Sequence, residues 1–217
     1  MIDGTPIEQV TRYQYLGHML TEDISIKKEI DIRTEKARAT FWKHKELLRR
    51  NINIDTKKRI LRCYVFSVFN YGCETWTFTK TVMDKIKSFE MWCYRRILRI
   101  SWREHKTNKE VLQTADVTER LLDQLIKRKM RYAGHVIRGS SGHLLQLALE
   151  GRIDARRGRG RPKRSWTDDI KQWTHCHTYG DIKRKAEKIE EWRTMVANLR
   201  TEDENIMFII MLYDLYI

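Results

Sequence analysis

The stretch Thr118–Arg138, TERLLDQLIKRKMRYAGHVIR, decides how the rest of the chain is read. Leu121, Leu122, Leu125, Ile126, Ala133, Val136 and Ile137 recur at the three-and-four spacing of an α-helix, so one face must be buried. Arg120, Lys127, Arg131 and Arg138 line another face and leave a basic stripe, the footprint expected of contacts to a nucleic-acid backbone.

The helical period extends upstream. From Ser25, Ile26, Ile30, Arg33, Ala37 and Phe41 share one face, and Asn51 closes the run. A second helix, capped by Asp55 or Thr56, carries Ile60, Leu61, Tyr64, Val65, Val68 and Phe69 on a face wide enough to make it the central, most buried one. A third, from about Val82 to Ile100, turns Ile86, Phe89, Cys93 and Ile97 inward. Arg95, Arg96 and Arg99 crowd its last turns, where the negative end of the helix dipole or a phosphate suits them. A short segment, TNKEVLQTADV, then precedes the long helix. At the N-terminus, MIDGTPIEQVTRYQYLGHMLTED combines the turn residues Asp3 and Gly4 with short alternating apolar segments, which is how a β-hairpin reads.

Downstream, GSSG (Gly139–Gly142) marks a turn and a boundary. Beyond it come a short helix around Leu144–Leu149, a basic run and two helical stretches, the last with Ile182, Ala186, Ile189, Trp192, Val196 and Leu199 on one face. The expected fold is mainly α. It has a β-hairpin over 1–24, a helical bundle over 25–139, a basic linker with C-terminal helices over 140–199, and an apolar tail over 200–217.

Composition bounds the function. Forty-three Lys and Arg against 29 Asp and Glu give +14 and a pI near 9.7, which points to a polyanionic partner, most commonly nucleic acid. An acidic membrane surface is the competitor, but no helix here has the strongly apolar face it asks for. The four cysteines lack a CxxC and no signal peptide precedes them, so a nuclear or cytoplasmic, not secreted, chain is expected. Cys63, Cys73 and Cys93 read as small core residues. The run IMFIIMLYDLYI (Ile206–Ile217) is too short to span a bilayer and reads as a docking segment or as sequence never selected as part of this fold.

The stretch RRGRGRPKRSWTDDIKQW (Arg156–Trp173) poses the chemical question. Two-metal chemistry would need carboxylates converging from neighbouring strands, and no acid-bearing strand lies near Asp168 and Asp169. Ser165 instead reads as a helix N-cap with both acids in the first turn, where the dipole favours them. RGRP (Arg159–Pro162) matches the core of an AT-hook that lies along a narrow minor groove, or else a flexible basic linker or import signal. Arg157, Arg159, Arg161, Lys163 and Arg164 are the candidates for a second, mobile nucleic-acid contact. His175-Cys176-His177 lacks the spaced partners of a zinc site. With no Walker loop, nucleophile elbow or HExxH, nothing makes a self-sufficient enzyme.

Taken together, YQYLGHMLTED (Tyr13–Asp23), VFNYGCETWTFTK (Val68–Lys80), FEMWCYRRILRISW (Phe89–Trp102), RYAGHVIR (Arg131–Arg138) and RRGRGRPKRSWTDDI (Arg156–Ile170) resemble the C-terminal part of non-LTR (LINE-type) retrotransposon reverse transcriptases, proteins that often carry an endonuclease at their N-terminus. The resemblance runs in order from Met1 to Leu199. It implies that Tyr15, Leu16 and Gly17 are a primer-grip remnant, and that Tyr71, Gly72, Glu74, Trp76, Trp92, Arg95 and Arg96 belong to a thumb. The family's catalytic carboxylates sit upstream of Tyr-Leu-Gly, so this chain alone is expected to be inactive. No cofactor is expected in it, Mg²⁺ belonging to a complete palm. The implied partners are an RNA–DNA or DNA duplex and the rest of a reverse transcriptase. The alternative is a domesticated remnant acting as a protein-interaction or DNA-binding adaptor.

Overall fold

The computed structural model describes residues 10–22, 26–140, 142–151 and 164–200. Asp3, Gly4, the basic cations Arg157, Arg159, Arg161 and Lys163, and the apolar tail lie outside the described residues. The protein is mainly α with one short antiparallel hairpin, as the periodicities predict, and divides into two compact units, one ending at Gly72 and one starting at Cys73.

In the first unit, β1 (Arg12–Tyr15) pairs with β2 (His18–Thr21) in the register Arg12↔Thr21 to Tyr15↔His18. Leu16 and Gly17 make the turn with φ of 46° and 81°. Two successive positive φ values match the right-handed twist of the strands, and glycine takes its value without a Cβ clash. Helix α1 (Ile26–Lys43) buries Ile30, Arg33, Ala37 and Phe41, and the short α2 (Lys45–Arg49) buries Leu48.

Asn53, not Asp55 or Thr56, caps α3 (Ile54–Ile60): its side chain accepts the Asp55 N–H at 2.9 Å. The helix then widens into a π-helical segment, Leu61–Phe66, before α4 (Ser67–Phe69). The wider turn shifts the phase of the apolar face. Ile60, Leu61, Val65 and Phe69 are buried as predicted, but Phe66 joins them while Tyr64 and Cys63 face out. Cys63 is therefore not a core residue, whereas Cys73 and Cys93 are.

The second unit starts with a 3-10 turn, Cys73–Thr75, followed by α5 (Lys80–Ile97), whose N-terminus Thr79 caps. The short segment before the long helix contains a helix of its own, α6 (Asn108–Thr114). Thr107 and Glu110 close a reciprocal capping box, the Thr107 N–H donating to Glu110 at 2.6 Å. Helix α7 (Leu121–Ile137) buries every residue predicted for its core face, together with Asp123, Lys129, Met130 and Gly134. It is the most extensively buried helix, a role the sequence assigned to the 54–69 helix.

α7 is also the hub, packing on the 73–75 turn, α5, α8 (His143–Glu150), α10 (Tyr179–Glu187) and α11 (Ile189–Asn198). Between α8 and α10 lies α9 (Trp166–Thr174). The expected boundary at Gly139 thus falls inside this unit, because the helices beyond it are tied to α7: the Trp192 Nε1–H donates to the Met130 carbonyl at 3.0 Å and Arg138 to the Ala186 carbonyl at 2.8 Å. Lys188 breaks the apolar run of the C-terminal stretch into α10 and α11. Ile182, Ala186, Trp192 and Val196 are buried and Ile189 is left exposed.

Candidate nucleic-acid interface

The hairpin turn is held by a buried polar clasp inside the first unit. Glu29 Oε1 pairs with Arg33 Nε at 2.7 Å and lies 3.2 Å from His18 Nδ1, and Oε2 accepts the Met19 N–H at 3.1 Å. Arg33 Nη2 donates to the Gly17 carbonyl at 2.6 Å and its guanidinium lies 4.6 Å over the Tyr71 ring. The Tyr71 hydroxyl donates to the Leu16 carbonyl at 2.9 Å. A side chain at Gly72, where φ is 72°, would begin 2.0 Å from the His18 ring. The segments YLGH and NYG therefore meet, and their residues fix a turn whose tip, Tyr15 and Leu16, points outward with more than half its surface exposed.

The end of α5 places the second group of predicted residues. Arg95 Nη2 donates to the Lys106 carbonyl at 2.7 Å and to Asn108 Oδ1 at 3.0 Å, tying the following loop to α6. Arg96 is exposed and lies 4.4 Å over the Trp92 ring, and Arg99 is exposed with φ of 58° where the helix ends.

The predicted stripe on α7 does lie along one face, since separations of seven, four and seven residues bring its members within roughly 40° of one another. Its charges have different fates. Arg120 Nε is 2.8 Å from Glu90 Oε2, and Glu90, fully buried, also takes the Leu121 N–H at 2.7 Å. Burial pushes the Glu90 carboxyl up from its usual range and Arg120 holds it down. Lys127 pairs with Glu119 at 2.8 Å. Among the described residues Arg131 is exposed with no hydrogen-bond or ion-pair partner, and the Arg138 side chain has no partner but the uncharged Ala186 carbonyl. These two keep their positive charge available.

Arg164 belongs to a different arrangement. Its Nε lies 2.6 Å from Asp169 Oδ1 and its Nη2 2.5 Å from Gln172. Asp169 has no exposure, and its Oδ2 takes the Phe78 N–H at 2.8 Å and Lys129 Nζ at 2.5 Å. Lys129, equally buried, also donates to the carbonyls of Trp76 at 2.8 Å and Trp166 at 3.1 Å, and sits 5.0–5.5 Å from the rings of Phe78, Trp166 and Trp173. Glu74 pairs with Arg128, and its carbonyl accepts the Trp166 indole N–H at 2.7 Å.

Three segments distant in sequence, CETWTF, IKRKM and RSWTDD, are bolted together at this junction. Ser165 stands at the N-cap with Asp168 and Asp169 in the first turn, as predicted, and the Asp168 carboxyl closes a capping box by accepting the Ser165 N–H at 2.7 Å, which holds it below the usual range. Asp169 does more than its first-turn position announced.

Lys129 escaped the sequence reading, although a lysine among Leu125, Ile126, Met130 and Ala133 on a buried face is itself a signal that a partner must exist. Cys176 is buried and its thiol donates to the Thr174 carbonyl. Among the described residues no three His, Cys, Asp or Glu side chains are grouped to hold a metal, and no helix is long and apolar enough to cross a membrane.

Fold and surface define a mainly helical protein with a clasped hairpin in one unit and exposed cations on the helices of the other. A transposon-derived protein of Caenorhabditis elegans is 27% identical to it over 172 residues, 77% of this chain. The chain spans 62% of that relative's length. The similarity connects the chain to transposon-derived sequence. No protein-family model matches it, and no solved structure matches it.

Proposed function

We propose that the chain acts as the thumb and following helices of a non-LTR retrotransposon reverse transcriptase, holding a template–primer duplex through its phosphates. The transposon-derived relative and the ordered resemblance of five segments support this reading. The observation that carries it is the charge of exposed Arg131 on α7 and half-buried Arg138 at its C-cap, neither paired with a carboxylate among the described residues, with Arg96 and Arg99 at the end of α5 as further cations. Such contacts release counterions and order a duplex without reading its bases. In this reading nucleotide joining belongs to palm carboxylates and their Mg²⁺, and Asp168 and Asp169 take no part in it.

The test is fluorescence anisotropy with RNA–DNA and DNA duplexes of unrelated sequence. Binding of all of them within a few-fold, weakened several-fold by Arg96→Ala combined with Arg99→Ala, supports the reading. Strong preference for one sequence, or indifference to both substitutions, contradicts it.

One observation favours a second reading: the hairpin exposes Tyr13, Tyr15, Leu16 and Leu20, each by more than half. An adaptor that binds protein through this surface would associate with its partner independently of salt.

A further inference from the structure

We propose that the groove between α7 and α11 is a built seat for one phosphate group and, resting on the reading above, for a backbone phosphate of the held duplex. The groove encloses about 340 Å³ and is lined by Arg131, His135, Arg138, Trp192, Arg193 and Val196, with no carboxylate among the described residues that line it. That size is within the ~300–1,000 Å³ of small-ligand sites.

The groove exists because of RYAGHVIR. Arg131, His135 and Arg138 follow one another at four and three residues, so they stack along one face of α7. Gly134, on the turn between them, lets α11 come close: a Cβ there would stand 2.6 Å from Trp192 Nε1 and 3.0 Å from Arg138 Nη1. The indole is locked by its bond to the Met130 carbonyl. Arg138 is oriented by the Ala186 carbonyl, which fixes the guanidinium without neutralising it and leaves its other donors for a ligand.

Arg131 enters with its full charge and no partner among the described residues. Arg193 pairs with Glu190 at 2.7 Å, but both side chains are more than two-thirds exposed, so the pair is weak and a phosphate can replace the carboxylate. His135 supplies an N–H, and the apolar wall of Trp192 and Val196 lowers the local dielectric under the bound anion. Three guanidiniums at one concave site match the bidentate geometry of a phosphate.

A backbone phosphate and free inorganic phosphate offer the same chemistry, so the test has two arms on the full chain. In the first, anisotropy with a short RNA–DNA duplex compares wild type, Arg131→Ala and the charge-matched control Arg59→Ala, an exposed residue of the first unit. The Arg131 variant is expected to bind about ten-fold more weakly, with its salt slope smaller by about one, and the control to be unchanged. In the second, calorimetry titrates inorganic phosphate into the same proteins, and heat is expected for wild type and the control only. Equal urea midpoints for the variants establish that each is folded. If both substitutions weaken the duplex equally and phosphate gives no Arg131-dependent heat, the seat is overturned while duplex binding stands. If phosphate binds through Arg131 but no duplex does, the seat stands and the function proposed above falls.

Discussion

At Lys129 an ammonium with no exposure is surrounded by one carboxylate, two carbonyls and three aromatic rings. Removing one partner of such a pair strands the other charge, at a cost of about 3–5 kcal/mol. Lys129→Ala should therefore lower stability by about that much in urea unfolding, whereas Asp168→Ala, which loses a cap, should cost ~1 kcal/mol.

The same site fixes a pH dependence. Burial lowers the Lys129 ammonium from 10.5 to about 8, so between those values the unfolded chain binds more protons and this group's contribution to stability rises with pH. Burial raises the Cys73 thiol from 9.0 to about 12, so over that interval the folded chain keeps the proton and stability falls with rising pH. Together the two groups predict a rise from pH 8 to 9, near cancellation to 10.5 and a fall above it. Urea midpoints across the range should lose the rise in Lys129→Met and the high-pH fall in Cys73→Ala; unchanged profiles would contradict the assignment. The burial of Cys73 was legible from its apolar surroundings. Lys129 was visible as an anomaly, but its partner lies 40 residues away and local spacing says nothing about it.

At the scale of elements, periodicity located α1, α5 and α7 because each buries one face continuously. It failed where the backbone departs from its regular turn. The π-helical segment Leu61–Phe66 brings Phe66 in and sends Tyr64 out, and Lys188 divides what reads as one amphipathic helix. Helix α6 was signalled by Thr107 and Glu110, but seven residues with Val111 alone buried carry too little pattern.

Glycine positions test the element packing. Gly134→Ala places a methyl against Trp192 and should cost about 1–3 kcal/mol, read as a lower urea midpoint and a changed near-ultraviolet tryptophan signal. Gly72→Ala meets both a positive φ and the His18 ring. It should cost at least as much and release the hairpin clasp, seen as faster amide exchange at Met19, whose N–H Glu29 accepts.

Across the whole molecule, net charge announced a polyanionic partner, yet the chain spends much of its positive charge on itself. Arg120, Lys127 and Arg164 lie on predicted contact segments and pair with Glu90, Glu119 and Asp169. No helical wheel distinguishes them from Arg131 and Arg138, because each carboxylate arrives from elsewhere in the chain or from a neighbouring turn. The stripe residues share one face of α7, and among the described residues the two without a carboxylate partner, Arg131 and Arg138, lie toward its C-terminal end.

The salt dependence of duplex binding by the purified chain tests this most directly. RNA–DNA duplexes are expected to bind at ~50 mM salt with an affinity that falls linearly on a log–log plot, with a slope of about −3 to −5 for the handful of arginines on α5, α7 and α11. No binding at that salt, or binding that salt leaves unchanged, would contradict it.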